Sequence, residues 1–363
     1  MKWFQIFWIN LAIIFSGLVC AELIFGSWIS GSELSPLNIP RNERRVLDVS
    51  QLMPSTPNVV YTRDQYGLRG DYGGDLSRID VLVLGGSTTN ELYVTDEATW
   101  VAQLGKKFRE GGKSLTFANA AIDGQSTLGH IVALKRWLLN LPRLRPQYVL
   151  FYIGINDTAV DEERLSPSDQ IQSPSSARRF RQYFINHSAL YNLFRVARGA
   201  WRARNAKLLH AGMLRNETKW FPVTMPVDNA ELLEEYKHKL PAFVGRLEAL
   251  TMEVRKWGAK PIFITQRRGD SKQINGVEHV LMHPNWVKNS REISDRAEKI
   301  LKILNETTVA TCERLSLVCV DLASKIAFED NDFYDLIHTT PSGSMRIAEF
   351  LYGELDKELL KSR

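Results

Sequence analysis

The sequence predicts an α/β fold from residue 79 onward: a mainly parallel five-stranded sheet with helices packed on both faces. Three observations carry this. Short segments such as Val81-Leu82-Val83-Leu84 are apolar at every position, as strands buried on both faces require. Amphipathic, helix-length stretches separate them, the spacing of parallel crossover units. The polar residues of chemical interest follow strand ends, where ligands of open parallel sheets bind.

In chain order, the first strand runs Val81–Leu84 and ends at Gly85-Gly86, and Trp100–Phe108 is a helix. Leu115–Ala118 is the second strand. A helix over Leu128–Leu139 follows, with Ser126 or Thr127 as its cap. Tyr148–Ile153 and Pro261–Thr265 are the third and fourth strands. A helix from about Ser290 to Arg314 precedes a short fifth strand, Val318–Val320, and Ser342–Leu360 closes the domain as a helix.

Ahead of this domain, Trp3–Ile29 is a nearly continuous apolar run, broken mainly by Asn10, Ser16 and Glu22. At about 1.5 Å per residue, roughly 20 helical residues cross a bilayer core, so the run is long enough. A signal peptide cut after Ala21 competes with an uncleaved anchor. The return of Leu23-Ile24-Phe25 beyond that point favours the anchor, with residues 1–29 as a single span. Lys2 places the N-terminus inside and Arg41, Arg44 and Arg45 argue the reverse; the reading adopted exports the domain. Residues 30–78 read as a linker and lead-in.

The chain has 363 residues, 44% hydrophobic and 24% charged, which suits one large folded domain with attachments and excludes global disorder. The net charge of +5 is modest and no nucleic-acid motif accompanies it, so nucleic acid is not an expected partner. Cys312 and Cys319 can form a bridge in an exported domain or remain two buried thiols. No Cys/His spacing suggests structural zinc. His279 and His283 have an i, i+4 spacing, but Pro284 follows and no acidic third ligand is evident, so no metal is assigned.

Four short blocks carry the chemistry. They are Gly85-Gly86-Ser87-Thr88, Asn119 to Gly124, Gly154-Ile155-Asn156-Asp157, and Asp335-Leu336-Ile337-His338. Each is common alone; together, in order and at strand ends, they are specific. A serine hydroxyl needs a base, which the His338 imidazole can supply, and Asp335 can hold that ring in one tautomer. The oxyanion of a tetrahedral intermediate needs placed donors: the Ser87 N–H, the Gly124 N–H and the Asn156 amide. Asp123 would oppose that charge if it pointed inward, so it is expected to face away. Asn156-Asp157-Thr158 also reads as a glycosylation sequon, but its strand-end position favours the oxyanion role. Thr88 and Gln266 are candidate pocket residues. Asp157 is a further one, or an organiser of its loop.

With these blocks in place, the chain resembles the SGNH (GDSL-like) hydrolases, named for a Ser, a Gly, an Asn and a His, here Ser87, Gly124, Asn156 and His338. Gly85-Gly86-Ser87 stands where the family's name motif has Gly-Asp-Ser. Tyr66-Gly67-Leu68-Arg69-Gly70 is similar to an element ahead of the first block in anchored relatives. The resemblance covers Ile79 to Leu360 apart from an insertion. It implies a three-layer α/β/α, flavodoxin-like fold and a serine esterase acting on O-acyl groups of a carbohydrate or lipid, without cofactor or metal. Transfer of the acyl group to a cell-surface glycan is the alternative, as is a silent glycan-binding or assembly protein on the same fold. The insertion, about residues 158–229, contains a basic aromatic stretch, Arg178 to Arg215, with no acidic residue. That stretch reads as an amphipathic helix with a solvated basic face, as one resting on anionic lipid, or as a surface that recognises an acidic glycan.

Overall fold

Five apolar segments ending in glycine or polar turns form the central sheet. The computed structural model describes residues 2–26, 28, 39–160, 187–191, 194, 215–285, 287 and 293–359. They fall into two units: residues up to Ile39 with the part of Gln172–Ala206 that is described, and the remainder from Pro40.

In the first unit, helix α1 (Lys2–Phe25) is apolar around its whole circumference. Its Trp3–Phe25 stretch is exposed, with mean hydropathy 2.0, and is long and apolar enough to cross a membrane, as a signal sequence also is. Glu22, near its end, accepts hydrogen bonds from the Trp28 indole (2.9 Å) and the Ala189 N–H (3.0 Å), so the carboxylate caps the turn at 187–191. The rest of the basic aromatic stretch, apart from Phe194 and Arg215, lies outside the described residues.

The second unit opens with an antiparallel pair, β1 (Glu43–Asp48) and β2 (Asn58–Arg63). The domain thus begins near Pro40 rather than at residue 79, and the expected linker beyond residue 39 is folded structure. The main strands are β3 (Val81–Gly85), β4 (Phe117–Asn119), β5 (Tyr148–Tyr152), β7 (Lys260–Ile264) and β10 (Val318–Val320), all parallel, in the order β10-β7-β5-β3-β4. β3 and β5 are buried at every residue.

Alternation along these strands sorts the core by face. Val81, Val83, Tyr148, Leu150, Ile262 and Ile264 pack against Trp100, Leu104 and Phe108 of α3 (Trp100–Glu110) and Ile347 and Leu351 of α9 (Pro341–Leu355). Helices α4 (Thr127–Arg136), α6 (Leu240–Lys256) and α7 (Arg296–Arg314) pack as a second layer. Between them in sequence come α2 (Ser87–Asn90), α5 (Asn229–Tyr236) and, after β10, α8 (Leu322–Lys325). Ser126 and Thr340 cap α4 and α9 by accepting the N–H groups of Leu128 and Gly343.

Two details differ from expectation, and one alternative left open is decided. A small antiparallel sheet, β6 (Lys219–Pro222), β9 (Val277–Met282) and β8 (Ser271–Ile274), lies between the third and fifth main strands in sequence. His279 is therefore on a strand, where the helical spacing to His283 has no meaning. Helix α7 starts at Arg296 rather than near residue 290. The Ile293 carbonyl accepts from Thr224 and Met225, which draws Ile293 out of the helix; residues 288–292 are outside the described ones. Cys312 and Cys319 are free thiols, and the hydrogen bond between them, with burial, pushes the Cys312 thiol well up.

Candidate active site

Strand order reverses between β3 and β5, and the crevice beyond such a point is where ligands bind in doubly wound sheets. The first block leaves β3 there. Gly86 turns the chain and Ser87 opens the four-residue α2. The glycine is dictated by contact, because a Cβ at residue 86 would meet the Asn156 amide nitrogen at 2.0 Å.

Ser87 Oγ lies 2.7 Å from His338 Nε2, and His338 Nδ1 lies 2.7 Å from Asp335 Oδ2. The other carboxylate oxygen, Oδ1, accepts the backbone N–H groups of Ile337 (2.9 Å) and His338 (2.7 Å), so Asp335 organises its own turn. A bridge between Phe333 and Thr339 and the stacking of Tyr334 on the His338 ring (centroids 5.7 Å, 9°) hold this turn closed. Burial pushes the Asp335 carboxyl up, but the His338 hydrogen bond and charge, with the two amides, outweigh it and hold it below the usual range. It therefore stays ionised at neutral pH beside the imidazole.

The donors come from three loops. Gly124 has φ 75°, which glycine adopts without strain, and is exposed. Neither its N–H nor that of Ser87 donates a hydrogen bond among the described residues. Asn156 Nδ2 donates one hydrogen to the Gln125 carbonyl at 2.8 Å, which fixes the amide plane against Gly86. The carboxylate of Asp123 is taken up by Asn90 Nδ2 at 2.7 Å.

The three expected pocket residues are buried and bonded within the scaffold instead of open to a ligand. Gln266 donates to Thr88 Oγ1 (2.9 Å) and accepts the Ile155 N–H (2.6 Å), bracing the first block against the third. Asp157 accepts the Thr127 N–H at 3.2 Å and pairs with Arg246, tying the third block to α4 and α6. A polar residue after a strand reads the same whether it faces a ligand or a neighbouring loop; only burial separates the two.

Two arginines of the lead-in brace the loops around the site, and the first was not singled out from sequence. Arg63, 2% exposed, donates to Tyr61 Oη (2.6 Å), the Gly67 carbonyl (2.6 Å), Asn90 Oδ1 (2.7 Å) and the Ala121 carbonyl. It thereby links the end of α2 to the second block. Arg69 pairs with Asp96 at 2.6 Å and donates to the Asn90 carbonyl. His130, under the second block, bonds Gln125 Oε1 through Nδ1 at 3.2 Å. Burial pushes its pKa down to about 3, so it is neutral. Among the described residues no group of three or more His, Cys, Asp or Glu could hold a metal ion.

Comparison with known proteins identifies a family. The sequence profile of the GDSL-like lipase/acylhydrolase family matches residues 83–346. Similar solved structures include TesA, at 16% identity over 77% of this chain and 99% of the other, with TM-score 0.40. A catalytic mutant of Axe2, an acetylxylan esterase from Geobacillus stearothermophilus, is 13% identical over 78% and 96%, with TM-score 0.41. The psychrotrophic esterase EstA from Pseudoalteromonas sp. is 15% identical over 77% and 97%, also with TM-score 0.41. A search of curated proteins finds no match. With its profile spanning well over half of the sequence, the chain belongs to the GDSL-like lipase/acylhydrolase family.

Proposed function

We propose that the protein is a serine esterase held at a membrane by α1, with Ser87 as nucleophile, His338 as general base and Asp335 as its orienting acid. The observation that carries this is the continuous hydrogen-bonded relay from Ser87 Oγ through His338 to Asp335, with 2.7 Å at both links. His338 Nε2 takes the Ser87 proton as Oγ attacks the ester carbonyl carbon. The tetrahedral oxyanion accepts from the Ser87 and Gly124 N–H groups and from Asn156. On collapse the C–O bond to the alcohol breaks, and His338 returns the proton to the leaving oxygen. An acyl-Ser87 ester remains, which water, deprotonated by His338, then cleaves.

The substrate class proposed is an O-acyl ester of a carbohydrate or lipid, presented outside the cytoplasm. The exposed apolar α1 supports the anchor, since about 20 such residues suffice to cross a bilayer. The protein purified with its anchor in detergent should release acid from short acyl esters and take up a fluorophosphonate label. Acylation of an added sugar without release of free acid would replace hydrolysis by transfer. No labelling, with no turnover, would sink the proposal.

The Asn156 amide gives a graded prediction. It has one hydrogen on Gln125 and a second to offer an oxyanion. Asn156→Ala should lower kcat about 10²-fold, the usual cost of one oxyanion donor, while KM changes little. An unchanged kcat would remove Asn156 from the site.

A further inference from the structure

Directly behind the nucleophile turn sits a buried acid with no part in the mechanism above. Glu91 is 3% exposed and follows α2 in the left-handed region, at φ 49°. Its N–H donates to the Ser87 carbonyl at 2.8 Å, so its backbone closes the turn that carries the serine. A glutamate is an uncommon choice for that conformation, which asparagine and glycine favour. Its side chain gives the reason. Oε2 accepts the Trp100 N–H at 2.7 Å, at the first residue of α3. Oε1 accepts Thr339 Oγ1 at 2.9 Å and also Ser344 Oγ. Thr339 follows His338, and Ser344 lies in the first turn of α9. One carboxylate therefore joins the turn of the serine to the turn of the histidine, across 248 residues of sequence.

We propose that Glu91 is a positioning residue: its ionised carboxylate holds the Ser87 and His338 turns in register, and its protonation loosens that register. The inference rests on the serine esterase reading and adds a control to it. An ionised Oε1 can accept both hydroxyls at once. A proton on the carboxyl turns one acceptor into a donor and sets Thr339 and Ser344 competing for what is left.

The surroundings bring this titration into the working range. Burial, the largest influence, pushes the Glu91 carboxyl up to about 7, against the bonds from Ser344, Trp100 and Thr339 and the charge of Arg69. The groups facing it are Arg69 from the lead-in, Trp100 from α3, Tyr152 from β5, and Tyr334, Thr339 and Ser344 from the histidine turn and α9. Both tyrosines are buried, and the Glu91 charge helps push their hydroxyls up, so they stay neutral.

Stability has the opposite sign. From pH 4.5 to about 7 the native state holds a proton that the unfolded chain releases. The contribution of Glu91 to stability is thus full below that window and falls as pH rises through it. At pH above about 7 the ionised clamp costs stability while it aligns the site. Removing the charge should then slow the chemistry without lowering the melting temperature. A merely structural role would lower both.

The test is the rate of fluorophosphonate labelling of the full chain in detergent, from about pH 5.5 to 9. The wild type should lose rate toward low pH along a limb of two protonations. Glu91→Gln should label about tenfold more slowly at the alkaline plateau, show a limb of one protonation, and melt no lower than wild type. Thr339→Val removes a bond that favours the ionised acid, so its upper step should move about half a pH unit or more alkaline. A Glu91→Gln protein with the wild-type plateau and limb overturns the proposal. If that variant does not fold, a Thr339→Val limb that coincides with wild type overturns it. Wild type that does not label, or Ser87→Ala that does, sinks the serine reading instead.

Discussion

Ser87→Ala is expected to lower kcat by at least about 10⁴-fold while the protein folds as before. The loss is large because two functions disappear together. The hydroxyl that attacks the carbonyl is gone, and His338 has no proton to relay. What remains is the rate provided by oxyanion donors and binding, typically about 10³-fold over water. Folding should be spared because Ser87 Oγ bonds only His338 among the described residues, and the turn itself is held by backbone and by Glu91. Melting should shift by less than about 1 kcal/mol in stability. Steady-state release of acid from a short acyl ester, with melting followed on the same sample, is the measurement. A variant that keeps a tenth of the wild-type rate would show that another group attacks the ester.

The four blocks were legible because their neighbours are. A strand apolar on both faces has few alternatives, so the ends of β3, β4 and β5 could be placed to within two residues from the runs that begin at Val81, Leu115 and Tyr148. Chemistry then needed only what stood after each end. Contacts that join distant segments left no such trace. Arg63 lies in a polar stretch that reads as linker, and nothing local announces that its guanidinium will be buried against Asn90 and Ala121. The alternation Val59, Tyr61, Arg63, buried at each second residue, was the one available signal of a strand with an inward arginine. Strands β6, β8 and β9 are short and half-exposed, so their pattern does not rise above that of a loop. Gln266 was found by position and read as a pocket residue, and Asp157 was left open between pocket and loop organiser, since a buried brace and a pocket residue share the same sequence environment.

Asp335→Asn should be nearly as damaging, at about 10³- to 10⁴-fold in kcat, although it changes one atom. The carboxylate receives three hydrogen bonds, all from donors: His338 Nδ1 on Oδ2, and the Ile337 and His338 amides on Oδ1. An asparagine has one oxygen for these two sides. If its oxygen faces the two backbone amides, its NH₂ faces Nδ1, and the imidazole must carry its proton on Nε2, where it can no longer accept from Ser87. If its oxygen faces Nδ1, the NH₂ opposes two backbone N–H groups, that of His338 buried, and the turn opens. Either outcome stalls the reaction, and the second also destabilises the domain, by about 1–3 kcal/mol for a stranded buried donor. Depression of the Asp335 pKa means that its support for the fold is present above the unfolded value of 3.8 and is lost as pH falls below it. The wild type should therefore lose stability in acid more steeply than Asp335→Asn does. Melting curves from pH 7 down to about 3 would reveal this convergence. Parallel curves, together with a wild-type rate at neutral pH, would mean that Asp335 shapes its turn without acting on His338.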